Sequence, residues 1–144
     1  MKLSVSEILK KASDMKDDQS RIKWLRSNNS ITLESVLRGA FDPGIIWLLP
    51  GGSPPYKPND LVDQHHRLYS ETRRFYLFVK GGNPGLKQLR RESLFIELLE
   101  SVDPEDAKLM IAIKDKTIPY DNITLELVNK AFPGIIREVT NSVK

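Results

Sequence analysis

Between Asp42 and Asn59 the chain carries five prolines (Pro43, Pro50, Pro54, Pro55, Pro58) and three glycines (Gly44, Gly51, Gly52). Proline fixes φ and removes an amide donor, so no regular element can run far through this stretch. Any fold must therefore be assembled from two blocks, one on each side of it. The stretch also holds Ile45-Ile46-Trp47-Leu48-Leu49, an apolar run that a solvated linker would not carry. It is predicted to be an ordered loop packed on the body of the protein. It then serves either as a buried crossover or as a docking loop whose stiffened backbone loses little entropy on binding.

Helical periodicity dominates on both sides. Ser4-x-x-Glu7 is a capping-box pattern, in which each side chain meets the other residue's free amide. Val5, Ile8, Leu9 and Ala12 follow at helical spacing, which predicts a helix from about Val5 to Met15. Asp17 can cap a second helix carrying Ile22, Trp24 and Leu25 and stopping near Asn28-Asn29. A third is predicted from Thr32 to about Ala40, with Leu33, Val36 and Leu37 on one face.

Beyond the loop, a long helix is predicted from about Asp60 to Val79, with Leu61, His65, Leu68, Phe75 and Phe78 inward and Gly81-Gly82 ending it. Asn83-Pro84 restarts the chain, asparagine as a cap and proline in the first turn. The helix from about Pro84 to Ser101 carries Leu86, Leu89, Leu94, Phe95, Leu98 and Leu99, too many for a one-sided stripe, and is expected at the centre. Asp103-Pro104-Glu105-Asp106 is the strongest start signal, and helix capping accounts for all three acids. That helix carries Ala107, Leu109, Met110, Ile111 and Ile113. After a turn at Thr117 to Asn122, a last helix is broken by Pro133-Gly134, and the tail after Ile136 is expected as frayed helix. The prediction is an all-α, single-domain bundle of about six or seven short helices over residues 1–144. One internal echo stands out: Ile31-Thr32-Leu33-Glu34-Ser35-Val36 and Ile123-Thr124-Leu125-Glu126-Leu127-Val128, each leading to a Pro-Gly-Ile-Ile turn. Two copies are too few for a solenoid.

Several chemistries are excluded or unsupported. With no cysteine there are no disulfides or thiolate metal sites. Glu7 sits where a secretory signal would need its apolar stretch, and no apolar run approaches the roughly 20 residues that span a bilayer. The expectation is a soluble cytoplasmic chain with no membrane partner. His65 and His66 are adjacent, so on a helix they point about 100° apart and do not share a metal. Gly81-Gly82-Asn83-Pro84-Gly85 lacks the Lys-Ser/Thr of a phosphate loop and reads as a helix-to-helix turn. No catalytic, cofactor-binding or metal-binding residue is assigned, and the chain is expected not to be an enzyme.

Charge is uneven. The chain is net +3, but from Lys57 to Arg91 eight basic residues face only Asp60, Asp63 and Glu71, so that segment is net +5 and the remainder net −2. Within it, Tyr69 to Lys80 interleaves arginines with aromatic residues. Such interleaving suits single-stranded nucleic acid, with cations on phosphates and rings stacked on bases. Arginine and tyrosine are equally the residue types enriched in protein-binding hot spots. The candidate partner-binding residues are Arg73, Arg74, Tyr76, Lys80, Lys87, Arg90 and Arg91, with Tyr56 and Lys57 from the proline loop. A helix through this segment places Arg73 and Tyr76 on one stripe beside the buried Phe75–Phe78 face. Arg74, four before Phe78, falls nearer the core edge and is expected to pair with an acid or a carbonyl, leaving Arg73 as the ligand contact.

The stretches Leu37-Arg38-Gly39-Ala40-Phe41-Asp42-Pro43, Pro54-Pro55-Tyr56-Lys57-Pro58, Tyr69-Ser70-Glu71-Thr72-Arg73-Arg74, Gly81-Gly82-Asn83-Pro84, Arg90-Arg91-Glu92-Ser93-Leu94-Phe95 and Leu98 to Leu109 together carry a resemblance. They resemble a family of small uncharacterised proteins encoded by large tailed phages, especially marine phages of cyanobacteria, over about residues 3 to 136. The resemblance brings no catalytic motif. It implies a viral protein made in a bacterial cytoplasm and an accessory role, binding a host or phage protein. Binding of single-stranded DNA or RNA through segment 57–91 is the alternative.

Overall fold

The computed structural model describes residues 3–137. Among these are seven α-helices and one 3-10 helix, with no strand longer than a single bridge. The first three helices form where the caps place them. Ser4 Oγ accepts the Glu7 amide (3.2 Å) and Glu7 Oε1 accepts the Ser4 amide (3.1 Å), opening α1 (Val5–Ser13). Asp17 accepts from the Ser20 amide (2.8 Å) at the head of α2 (Asp18–Ser27). Ser30 accepts from the Leu33 amide (3.0 Å) at the head of α3 (Ile31–Phe41). The apolar stripes Val5-Ile8-Leu9-Ala12 and Leu33-Val36-Leu37-Ala40 are buried in one shared core.

The loop after α3 is ordered and packed, with Trp47, Leu49 and Tyr56 against the core. Trp47 and Val79 form an antiparallel bridge, held by Leu48 N to Phe78 O and Lys80 N to Ile46 O, both 2.8 Å.

The second block departs from the sequence expectation at three places. No helix spans Asp60 to Val79. Asn59 Oδ1 takes the Leu61 amide in an Asx turn, and Asp63 adopts a positive φ of 58°, so the chain reaches α4 (Arg67–Glu71) by an irregular path. Leu61 (66% exposed) lies outside rather than inward, beside an exposed Val62, and His65 is half-exposed with Nδ1 2.9 Å from Glu7 Oε1. The chain then tightens into a 3-10 helix (Thr72–Phe78); α4 still buries Leu68, and the 3-10 helix Phe75 and Phe78, as expected.

The following helix also begins later than Pro84. Asn83 to Leu86 is a turn, and α5 (Gln88–Ser101) starts behind it, which leaves Leu89 81% exposed. Third, α5 is not central. That place belongs to α6 (Pro104–Lys114), which packs against α1, α3 and α5. Phe95 of α5 meets Phe78 edge to face at 5.3 Å, and burying each ring contributes about 1.5–3 kcal/mol.

Asp103 caps α6 and Pro104 opens it, but Asp106 does more than favour the helix dipole. It is fully buried, and its Oδ1 accepts the Ser6 amide of α1 at 2.9 Å. The last helix, α7 (Leu125–Ala131), is capped by Thr124 and ends before Pro133-Gly134. The internal echo does not repeat in structure. Ile31 is the first residue of α3 and exposed, whereas Ile123 precedes the α7 cap and is buried, a phase difference of two residues. The expected helical tail after Ile136 begins at Arg137, which is not helical, and the rest of it, 138–144, lies outside the described residues. No helix among the described residues is long and apolar enough to cross a membrane.

Candidate functional site

A 3-10 helix has three residues per turn, so residues i and i+3 stand directly one above the other. Over Thr72–Phe78 this sorts the basic-aromatic segment into three faces. Thr72, Phe75 and Phe78 turn toward the body, and Thr72 Oγ1 hydrogen-bonds Thr32 of α3. Arg74 shares a face with Glu71, and its Nη1 lies 3.7 Å from Glu71 Oε1. Arg73 and Tyr76 form the remaining face. Both are exposed, and Arg73 makes no ion pair among the described residues.

That third face borders a cleft of about 220 Å³ lined by Ser35, Arg38 and Gly39 of α3, Ile45 and Trp47 of the loop, and Phe75, Tyr76 and Val79. Near the end of α3, Gly39 lets the indole of Trp47 lie against the helix. A Cβ on Gly39 would come within 2.7 Å of Trp47 Cζ2, and the indole Nε1 donates to the Gly39 carbonyl at 3.0 Å. On α3, Ile31, Ser35 and Arg38 fall at helical spacing on one outer stripe. Ile31 and Ile46 are both exposed, so apolar side chains stand beyond the cleft as well as in it. Arg38 is half-exposed, holding Glu34 at 3.4 Å and donating to the Ile135 carbonyl at 3.1 Å.

Lys116 ties the loop and the end of α3 together. Its ammonium donates to the carbonyls of Gly39 (2.9 Å) in the last turn of α3, of Asp42 (2.8 Å) just past it, and of Ile45 (2.9 Å) in the loop. Asp42, itself buried, receives Arg137 Nε at 3.2 Å and the Gly44 amide at 2.8 Å.

The other candidate residues do not join this surface as one patch. Arg91 is 5% exposed and turned inward: Nε donates to the Leu77 carbonyl (3.0 Å), Nη1 to Gln88 Oε1 (2.6 Å), and Nη2 to the carbonyls of Asn83 and Leu86. It is a clamp between the 3-10 helix and α5, not a surface contact. Lys80, Lys87 and Arg90 are exposed, and Arg90 faces Glu97 at 3.4 Å. Tyr56 and Lys57 sit at the far end of α5, where the Lys57 amide donates to Glu100 (2.8 Å) and Asn59 to the Ser101 carbonyl. At 1.5 Å per residue, Lys57 is about 20 Å along α5 from Lys87.

Ser35, Arg38 and Gly39 were not anticipated from the sequence, whereas Ile45 and Trp47 lie in the loop that it offered as a crossover or a docking loop. The glycine inside an otherwise strong helical pattern was the signal that could have found them, since such a glycine often marks a close approach.

Among the described residues no group of three or more His, Asp or Glu is placed to hold a metal ion. A family model described as a family of unknown function (DUF6433) matches residues 8–120, from within α1 to the turn before α7. No curated protein matches the chain.

Proposed function

We propose that this chain, which belongs to the family of unknown function DUF6433, is a non-enzymatic interaction protein that binds a protein partner in the cleft between α3 and the 3-10 helix. The observation that carries this reading is the cleft itself. It is an apolar notch floored by Trp47 and Phe75 and lined at its rim by the exposed Tyr76 and the half-exposed Arg38, with Arg73 one 3-10 turn from Tyr76 on the same exposed face. Its volume of about 220 Å³ falls below the roughly 300–1,000 Å³ of small-molecule sites and suits one anchoring side chain of a larger partner. Buried aromatic anchors ringed by arginine are what binding hot spots are made of. The cations favour a partner segment with acids beside a bulky apolar residue. The resemblance noted in the sequence supports a partner that is a protein of a phage or its bacterial host, met in the bacterial cytoplasm.

Single-stranded nucleic acid is the less favoured reading. Of the rings in segment 69–80, Phe75 and Phe78 are buried and Tyr69 donates its hydroxyl to the Leu3 carbonyl at 2.7 Å, so Tyr76 alone is well exposed for stacking.

The test is a pull-down from nuclease-treated lysate of infected cells, using the wild-type chain, Arg73→Glu and Tyr76→Ala. One protein retained by the wild type and lost by both variants is expected. Retention by both variants, or no retained protein, would overturn the proposal. Binding of an oligonucleotide that weakens with salt at a log–log slope of about −0.7 per phosphate would favour the nucleic-acid reading instead.

A further inference from the structure

The Pro/Gly loop encloses a second chamber, away from the cleft and independent of the reading above. Leu49, Pro50, Pro54 and Pro55 arch over Phe95 and Ile96 of α5, leaving about 340 Å³, within the size range of small-molecule sites. At about 30 Å³ per water, that is room for a compact molecule of roughly ten non-hydrogen atoms.

Two charged side chains complete the wall, Lys114 and Glu92. The Lys114 side chain is 2% exposed, and its ammonium has one acceptor, Asp115 Oδ1 at 2.9 Å. Asp115 Oδ2 is taken by the Gly52 amide at 3.0 Å, which latches the loop down. An ammonium carries three donors, and one left without an acceptor away from water is costly. Two Lys114 donors therefore lack an acceptor among the described residues, beside an apolar space. Glu92 Oε2 accepts from Gln88 Nε2 at 2.9 Å and keeps further acceptor capacity.

These constraints select a chemistry. Because Asp115 already neutralises Lys114, an anionic ligand would gain little there and would meet the Glu92 carboxylate. A cation could meet Glu92 but would leave the two remaining Lys114 donors unmet. We propose that this chamber binds a compact, uncharged ring compound bearing an amide, its carbonyl accepting from Lys114 and its N–H donating to Glu92.

Benzamide is the probe, with benzoate (acceptor only) and benzylamine (donor only) as its matched controls. Titrated at millimolar concentration into the isotopically labelled full chain, benzamide should shift the Gly51, Gly52, Phe95 and Ile96 amide resonances saturably. Either control should require about tenfold more, the cost of one unmet hydrogen bond. Ile96→Trp fills the chamber and should abolish the shifts. Lys114→Met should erase the preference for benzamide over benzylamine, and should it fail to fold, Ile96→Trp decides alone. No saturable shift, equal affinity for all three probes, or undiminished binding to Ile96→Trp overturns the proposal.

Discussion

Arg73 and Tyr76 stand one 3-10 turn apart on a single exposed face, while Arg74, next in the chain, turns toward Glu71. This separates their expected effects. Arg73→Ala should weaken partner capture at least about tenfold, a typical hot-spot loss, with the melting temperature nearly unchanged. Arg74→Ala should leave capture intact. Its ion pair is half-exposed and Arg67 also approaches Glu71, at 3.8 Å, so unfolding by denaturant should show a loss below about 1 kcal/mol.

Arg91 should behave as a core residue. Truncation removes the donors of several carbonyls around a guanidinium that is almost out of water, so Arg91→Ala should cost about 2–4 kcal/mol in chemical denaturation. Arg91→Lys should recover little, because an ammonium cannot span the Leu77, Leu86 and Gln88 oxygens in the planar fork. A surface arginine would show neither effect.

Asp106 gives the fold a specific pH dependence. Burial pushes its pKa up to about 6 from 3.8, against the Ser6 hydrogen bond and with help from the Asp103 and Glu7 charges; Oδ2 has no hydrogen-bond partner among the described residues. Between those values the folded state holds the proton more tightly than the unfolded chain, so this group removes stability as pH rises from about 4 to 6. Asp106→Asn keeps an acceptor for the Ser6 amide and carries no charge. It should match the wild type near pH 4 and exceed it above pH 7 by about 3 kcal/mol, read from denaturant melts at both pH values.

Lys116→Met should leave the Gly39, Asp42 and Ile45 carbonyls without their shared donor and loosen the loop from α3. A loss of about 1–3 kcal/mol is expected, together with a red shift in tryptophan emission as Trp47, bonded to the same Gly39 carbonyl, meets more water. Unchanged emission would mean that the loop holds without the clamp.

Gly82 has no room for a side chain, since a Cβ there would collide with the Tyr76 carbonyl. Gly82→Ala should therefore displace the end of the 3-10 helix and reduce partner capture even though residue 82 is not in the cleft. Intact capture would show that Tyr76 is not part of the binding surface.

The helix starts were legible because their causes are local. Ser4 with Glu7, Asp17 with Ser20 and Asp103 with Glu105 are hydrogen bonds closed within three residues, so the sequence by itself determined them, as it did the inward stripes of α1 and α3. The same holds for the proline-rich break and the placement of Phe75 and Phe78 in the core. What only the tertiary structure decided was the state of segments whose polar groups are met from elsewhere. Asn59 is held by the Ser101 carbonyl, Thr72 by Thr32, and the Leu86 carbonyl, which a helix begun at Pro84 would have used, is held by Arg91. A repeating pattern records which residues prefer burial. It does not record which distant donor will claim a carbonyl, and that claim turned one predicted helix into a 3-10 segment, one arginine into a clamp, and a glycine in α3 into part of the wall of a cleft.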